Sequence, residues 1–102
     1  MSTEELLGRL EAEDETIVHI GTKPAISYVI AAVTQFNTGN SNKVVLKARG
    51  RAISKAIDVT EIVRNKFIQE LKIDDIQVGT EEVKREDGTT SDVPSIEIYM
   101  SK

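Results

Sequence analysis

Two short turns hold the residues best equipped to bind a ligand. Gly21-Thr-Lys-Pro24 and Ala48-Arg-Gly-Arg51 each set a glycine beside fixed positive charge, where a β-branched stretch gives way to a helical pattern. A helix N-terminus offers unpaired N–H groups and the positive end of the helix dipole, and glycine allows close approach to the backbone. Phosphate is the ligand that combination serves. Lys47 and Lys55 flank the second turn, and the five bases from Lys43 to Lys55 have no acid among them. Such a density fits a polyanion better than a single phosphate ester. Neither a G-x-G-x-x-G nor a G-x-x-x-x-G-K-[ST] spacing occurs, so the glycines do not form a nucleotide cradle. Either turn alone also reads as a plain tight turn, and the basic stretch as solvated surface paired with acids elsewhere.

Other chemistries find little support. His19 is the sole histidine and stands in an apolar strand, where a packed core histidine is the expectation rather than a general base or a metal ligand. Asp74-Asp75 and Glu81-Glu82 are adjacent in extended segments, which sends each pair to opposite strand faces. Ser54 and Ser95 have no neighbouring base. With no cysteine, a disulfide scaffold, a thiolate zinc site and a cysteine nucleophile are all excluded. No enzyme activity, metal, cofactor or small-molecule substrate is expected.

The elements that must carry the two turns follow from periodicity. Thr16–Ile20 is short and β-branched, consistent with a buried strand ended by Gly21. Pro24 suits the first turn of a helix, and Ile26, Val29, Ile30 and Val33 recur at helical spacing to about Asn37. Gly39 is placed to stop that helix. A second strand, Lys43–Ala48, leads through Arg49-Gly-Arg51 into a second helix from Ala52 to about Ile68. Its apolar residues Ala52, Ile53, Ala56, Ile57, Val59, Val63, Phe67 and Ile68 fill an arc wider than one side of a sheet needs, which leaves part of it for a second subunit. Arg64 falls inside this arc and must be paired or lie at an interface edge. Two alternating stretches, Ile73–Val83 and Ile96–Met100, flank an Asp87-Gly88 hairpin signal.

The order is thus β-α-β-α-β-β: one small α/β domain with a mixed sheet, two helices and a long β3–β4 hairpin arm. In a β-α-β unit the two strands run parallel, so both strand-to-helix turns open on the same sheet edge.

The 102 residues leave room for one modest core, and a net charge of −4 hides an uneven distribution. Residues 1–15 carry six acids against Arg9, a net −5. Residues 16–69 carry eight bases against two acids, a net +6, and residues 70–98 carry nine acids against three bases. The opening stretch therefore reads as an acidic flexible tail ahead of a domain spanning 16–102. By charge, the tail is expected to fold over the basic middle and compete with a polyanion. No apolar run is long enough to span a bilayer and the start lacks the pattern of a signal peptide, so a cytoplasmic location without membrane contact is expected.

The run Lys47-Ala-Arg-Gly-Arg-Ala-Ile-Ser-Lys-Ala-Ile-Asp58, continuing through Glu61-Ile-Val-Arg-Asn-Lys-Phe67, resembles the signature of the Alba family of archaeal chromatin proteins. Ile20-Gly-Thr-Lys-Pro24 with Tyr28-Val resembles that family's first strand-to-helix turn, and Val78-Gly79 with Ser95-Ile-Glu-Ile98 its final strands. The resemblance covers about Thr16 to Met100. It implies a homodimeric, sequence-tolerant binder of double-stranded DNA and RNA that coats or bridges duplexes and associates with the chromosome. By position it implies phosphate contacts from Lys23, Lys47, Arg49, Arg51 and Lys55, with Thr22 and Gly50 in the same turns. It further implies a groove-directed arm bearing Lys84 and Arg85, and contacts within or between dimers from Phe67, Val63, Arg64 and Asn65.

Three departures qualify those expectations. Thr22 stands where the family usually has the first of two lysines, leaving Lys23 as the one candidate for acetylation in that turn. The arm residues Lys84, Arg85, Glu86, Asp87 and Asp92 carry a net −1 where the family's arms tend to be basic. The acidic tail and an isoelectric point near 5.0 are also atypical. An RNA-binding assembly subunit of a ribonucleoprotein, similar to those of ribonuclease P, or a protein-interaction module with weakened nucleic-acid affinity, is the alternative these departures leave open.

Overall fold

The computed structural model describes residues 2–3, 15–38 and 42–102. β1 (Glu15–His19) leads into α1 (Ala25–Asn37), then β2 (Lys43–Arg49) and α2 (Ala52–Ile62), whose last turn widens into a π-helical segment, Val63–Phe67. β3 (Lys72–Lys84) and β4 (Thr90–Ser101) complete the chain. The sheet order is β1-β2-β4-β3. β1 and β2 pair in parallel, while β4 runs antiparallel to both β2 and β3. The expected α/β architecture, with its mixed sheet and long hairpin, is the one observed. The expected tail, apart from residues 2, 3 and 15, and the helix-stopping Gly39 lie outside the described residues.

One face of the sheet is apolar because alternate residues point to it. Val44, Leu46 and Ala48 of β2 and Ile96, Ile98 and Met100 of β4 are buried there against Val29, Ala32 and Phe36 of α1 and Ala56, Val59 and Val63 of the second helix. Burying each large side chain contributes about 1.5–3 kcal/mol, and this layer holds the fold together. Thr60 is the polar residue in it, and its hydroxyl donates to the Ala56 carbonyl at 2.9 Å.

Several expectations change in detail. β1 is an edge strand rather than a buried one, and Ile17 and His19 point away from the helices into solvent. His19 is therefore exposed and is not a packed core histidine. On α1 the buried stripe runs through Tyr28, Val29, Ala32 and Phe36, which turns Ile26 and Ile30 outward at 52% and 58% exposure. In β3, Ile73 pairs with Met100 and Ile76 with Ile98, and the three-residue spacing is absorbed by a bulge between Ile73 and Asp75. Ile76 and Val78 thus share the core-side face with Ile98 and Ile96 but lie beyond the helices, which pack on β1, β2 and β4.

The end of the second helix explains a further difference. Ile68 N–H donates to the Val63 carbonyl at 2.8 Å, the five-residue step of a π turn. In a regular α-helix Phe67 would stack over Val63; the wider turn puts Ile68 there instead. Ile68 is buried, and Phe67 swings out to 52% exposure.

Candidate nucleic-acid interface

The parallel pairing of β1 with β2 brings both strand-to-helix turns to one edge of the sheet. A single depression there is lined by Ile20, Gly21 and Thr22 from the first turn and by Arg49, Arg51, Ala52 and Lys55 from the second. Lys55 Nζ reaches across and donates to the carbonyls of Gly21 and Lys23, each at 2.8 Å. The cationic corners therefore adjoin, and Thr22, Lys23, Arg49 and Arg51 are all exposed around them.

Gly50 sets the second corner. Its φ of +57° lies in the left-handed region that a side chain disfavours. Its N–H donates to Pro94 O at 2.8 Å, and its carbonyl accepts from Ile53 at 3.2 Å. The end of β2 is thereby pinned to β4 as the chain turns into α2, and Arg49 and Arg51 project on either side of the bend. The first corner is built differently. Tyr28 Oη, from one turn into α1, accepts the N–H groups of Gly21 at 2.9 Å and Lys23 at 3.1 Å.

Carboxylates enter the site from the hairpin strands. On the helix-free face of the sheet Lys47 stands opposite Glu97 and Arg49 opposite Ser95, which is opposite Gly79. Arg49 Nη1 lies 3.3 Å from Glu81, and Lys47 Nζ 3.4 Å from Glu97. Tyr99 donates to Glu97 at 2.5 Å. That hydroxyl, and after it Lys47, holds the Glu97 carboxyl below the usual carboxylate range, while the same bond pushes the Tyr99 phenol up to about 12. The Arg51 guanidinium and the Lys23 ammonium make no hydrogen bond or ion pair among the described residues.

The arm projects from this same edge. Lys84 is five positions beyond Gly79, so it stands about 17 Å past the Arg49 row. Arg85 N–H donates to Thr89 O at 2.7 Å, and Gly88 closes the loop with φ +89°. The Asp-Gly signal therefore marks the turn, with glycine at the left-handed position. Lys84 and Arg85 are exposed but not part of the depression, and the Arg85 guanidinium donates to Ser91 at 3.0 Å. Below the tip Glu82 sits directly across from Asp92.

The residues assigned to contacts between copies separate. Val63 is fully buried in this chain's own core and presents no surface to a partner, because it lies on the inward face with Ala56 and Val59. Phe67 is half exposed. Arg64 is paired, as its place in the arc demanded, donating to both Glu61 carboxylate oxygens at 2.7 and 2.9 Å; Asn65 donates to Glu61 at 3.4 Å.

Sequence reading passed over Tyr28 and Glu97 as site residues and weighed Glu81 only as half of an adjacent carboxylate pair. The alternation of Ile96, Ile98 and Met100 already assigns Glu97 to the face of Lys47, but Glu81 reaches Arg49 only through the β3–β4 register, which no local pattern encodes.

Comparison with known proteins agrees with this geometry. The Alba family matches residues 16–80. The DNA/RNA-binding protein Alba of Picrophilus torridus is 48% identical over 89 residues, covering 87% of this chain and 98% of its own. That of Thermoplasma volcanium is 51% identical over 89 residues, again 87% of this chain and 98% of its own. The solved structure of Alba from Thermoplasma volcanium superposes with a TM-score of 0.80 at 50% identity, covering 85% of this chain and all of that one. On the match across the sheet, both helices and the two cationic turns, the chain belongs to the Alba family.

Proposed function

We propose that this protein binds DNA and RNA through their phosphates, without regard to base sequence, and coats or bridges duplexes as a homodimer. The observation that carries this reading is the single depression shared by the two turns, with Thr22, Arg49, Arg51 and Lys55 on its wall and Lys23 beside it. Relatives named DNA/RNA-binding protein Alba support the nucleic-acid class. Phosphate contacts set position and affinity but carry no sequence information. Lys23, Arg49 and Arg51 are the principal contacts, and Lys47 joins them when Glu97 releases it. Such a protein resides in the cytoplasm on the chromosome. Among the described residues no helix is long and apolar enough to cross a membrane.

Self-association uses the apolar surface the helices leave open. Ile76 and Val78, 52% and 81% exposed, extend the core face of the sheet beyond the helical layer, and Ile57 and Phe67 stand exposed on the second helix. Arg64 and Asn65, tied to Glu61, border Phe67 and join it in contacts between copies. Acetylation of Lys23 would remove one positive charge per subunit from the interface and weaken binding. The acidic tail competes with the polyanion for the same face.

The arm favours a second reading. Glu82 opposite Asp92 and Glu81 against Arg49 make it a poor insert for a DNA groove, which supports a role in assembling structured RNA into a ribonucleoprotein. Titrating duplex DNA and structured RNA across a range of salt separates the two. Duplex coating gives saturation proportional to duplex length; RNA assembly gives preferential binding to the folded RNA. Salt-insensitive failure to bind either polymer would instead favour a protein partner.

A further inference from the structure

We infer that Tyr28 and Lys55 are positioning residues of the interface: they lock the Gly21–Pro24 turn into the shape that presents Thr22 and Lys23 to a phosphate. The inference rests on the nucleic-acid reading above and alters the place of Lys55 within it. Gly21 and Lys23 lie between β1 and α1, and both of their N–H groups and both of their carbonyls are satisfied by these two side chains. Tyr28 Oη accepts the two N–H groups at 2.9 and 3.1 Å. Lys55 Nζ donates to the two carbonyls, each at 2.8 Å. One side chain comes from each helix, so the turn is held from both sides.

The neighbouring residues are consistent with such a lock. Pro24 has no N–H and fixes its own φ, which leaves Gly21, Thr22 and Lys23 as the segment needing outside support. A Cβ at Gly21 would meet Tyr28 Oη at 3.2 Å, so glycine keeps the phenol seated. The Lys55 ammonium also stands 6.0 Å from the centre of the Tyr28 ring, at the limit of a cation–π contact. With two of its three protons committed to carbonyls, Lys55 acts on the polyanion chiefly through the turn it holds. The Lys23 ammonium, by contrast, is tied to nothing among the described residues.

Tyr28→Phe tests this without changing charge or core volume, and Lys55→Gln tests it from the other helix. Amide hydrogen exchange at Gly21 and Lys23 should be slow in the parent and at least about tenfold faster in each variant. Affinity for a short random duplex should fall by about threefold to tenfold in each. In a Lys23→Ala background the same two substitutions should change affinity by less than about twofold, because the positive charge they position is gone and only the neutral Thr22 remains. Unchanged amide exchange, or losses that add in full on Lys23→Ala, would overturn the inference while leaving the interface standing. Failure of the parent to bind duplex or RNA at any salt would overturn the interface reading itself, a result distinct from additive losses.

Discussion

Arg49 and Glu81 meet at 3.3 Å across the end of the sheet, so the chain supplies its own anion to a guanidinium on the wall of the depression between the two turns. Both side chains are more than half exposed, and such a pair contributes only about 0.2–1 kcal/mol. A polyanion can displace that carboxylate, but only by breaking the pair first.

Glu81→Gln should therefore tighten nucleic-acid binding by about twofold to fivefold at low salt, with the gain shrinking as salt screens the pair. Fluorescence anisotropy with a labelled duplex measures this directly. Equal or weaker binding would mean that Glu81 does not compete for Arg49.

The neighbouring row sets a pH dependence. Glu97 is held below its usual 4.5 by the Tyr99 hydroxyl and then Lys47, and Tyr99 is raised from 10.0 to about 12 by Glu97. A lowered acid contributes stability above its unfolded value, lost as pH falls through its folded one; a raised phenol contributes below 10, lost as pH rises through about 12. This row's contribution should be flat from about pH 5 to 10 and decline outside it. Glu97→Gln should abolish its decline on the acid side. Denaturant unfolding of the two proteins between pH 3 and 7 checks this, and identical profiles would contradict it.

Gly50→Ala separates backbone strain from crowding. Open space surrounds the position a Cβ would take, so the cost comes from the φ of +57° alone, about 1–2 kcal/mol. Chemical denaturation should show a loss of that size. A loss below about 0.5 kcal/mol would indicate that the bend relaxes without help from glycine.

Phe67 and Val63 stand four positions apart and have opposite expected phenotypes. Phe67→Ala, at a half-exposed position, should leave monomer stability within about 1 kcal/mol and weaken self-association. Val63→Ala should cost about 2 kcal/mol and leave association per folded chain unchanged. Sedimentation and denaturation measured side by side distinguish them, and the reverse pattern would refute the assignment.

The fold and the two corners were largely legible because they rest on local signals. Period-3.6 and period-2 stretches placed the helices and strands, Pro24 marked a helix start, and the parallel β-α-β unit put both turns on one edge. Features that arise from long-range register were not. The Ile73/Ile76 spacing became intelligible only with the bulge at Asp74, and the exposure of Phe67 only with the π turn. His19 and Ile30 look buried by composition; strand order and helix rotation decided otherwise. The hydrogen bonds that Lys55 and Tyr28 make to the Gly21–Pro24 turn were hidden for a related reason. A lysine in a basic run reads as a phosphate ligand, and nothing local shows that it also reaches carbonyls more than thirty positions away.

The salt dependence of duplex binding tests the central claim most directly. Each phosphate neutralised contributes about 0.9 to the slope of log affinity against log salt. Relative to the parent, Arg49→Ala and Arg51→Ala combined should lower that slope by about 1.8 per subunit and weaken binding to unrelated sequences equally. An unchanged slope, or a loss confined to one sequence, would show that these corners do not grip the sugar-phosphate backbone.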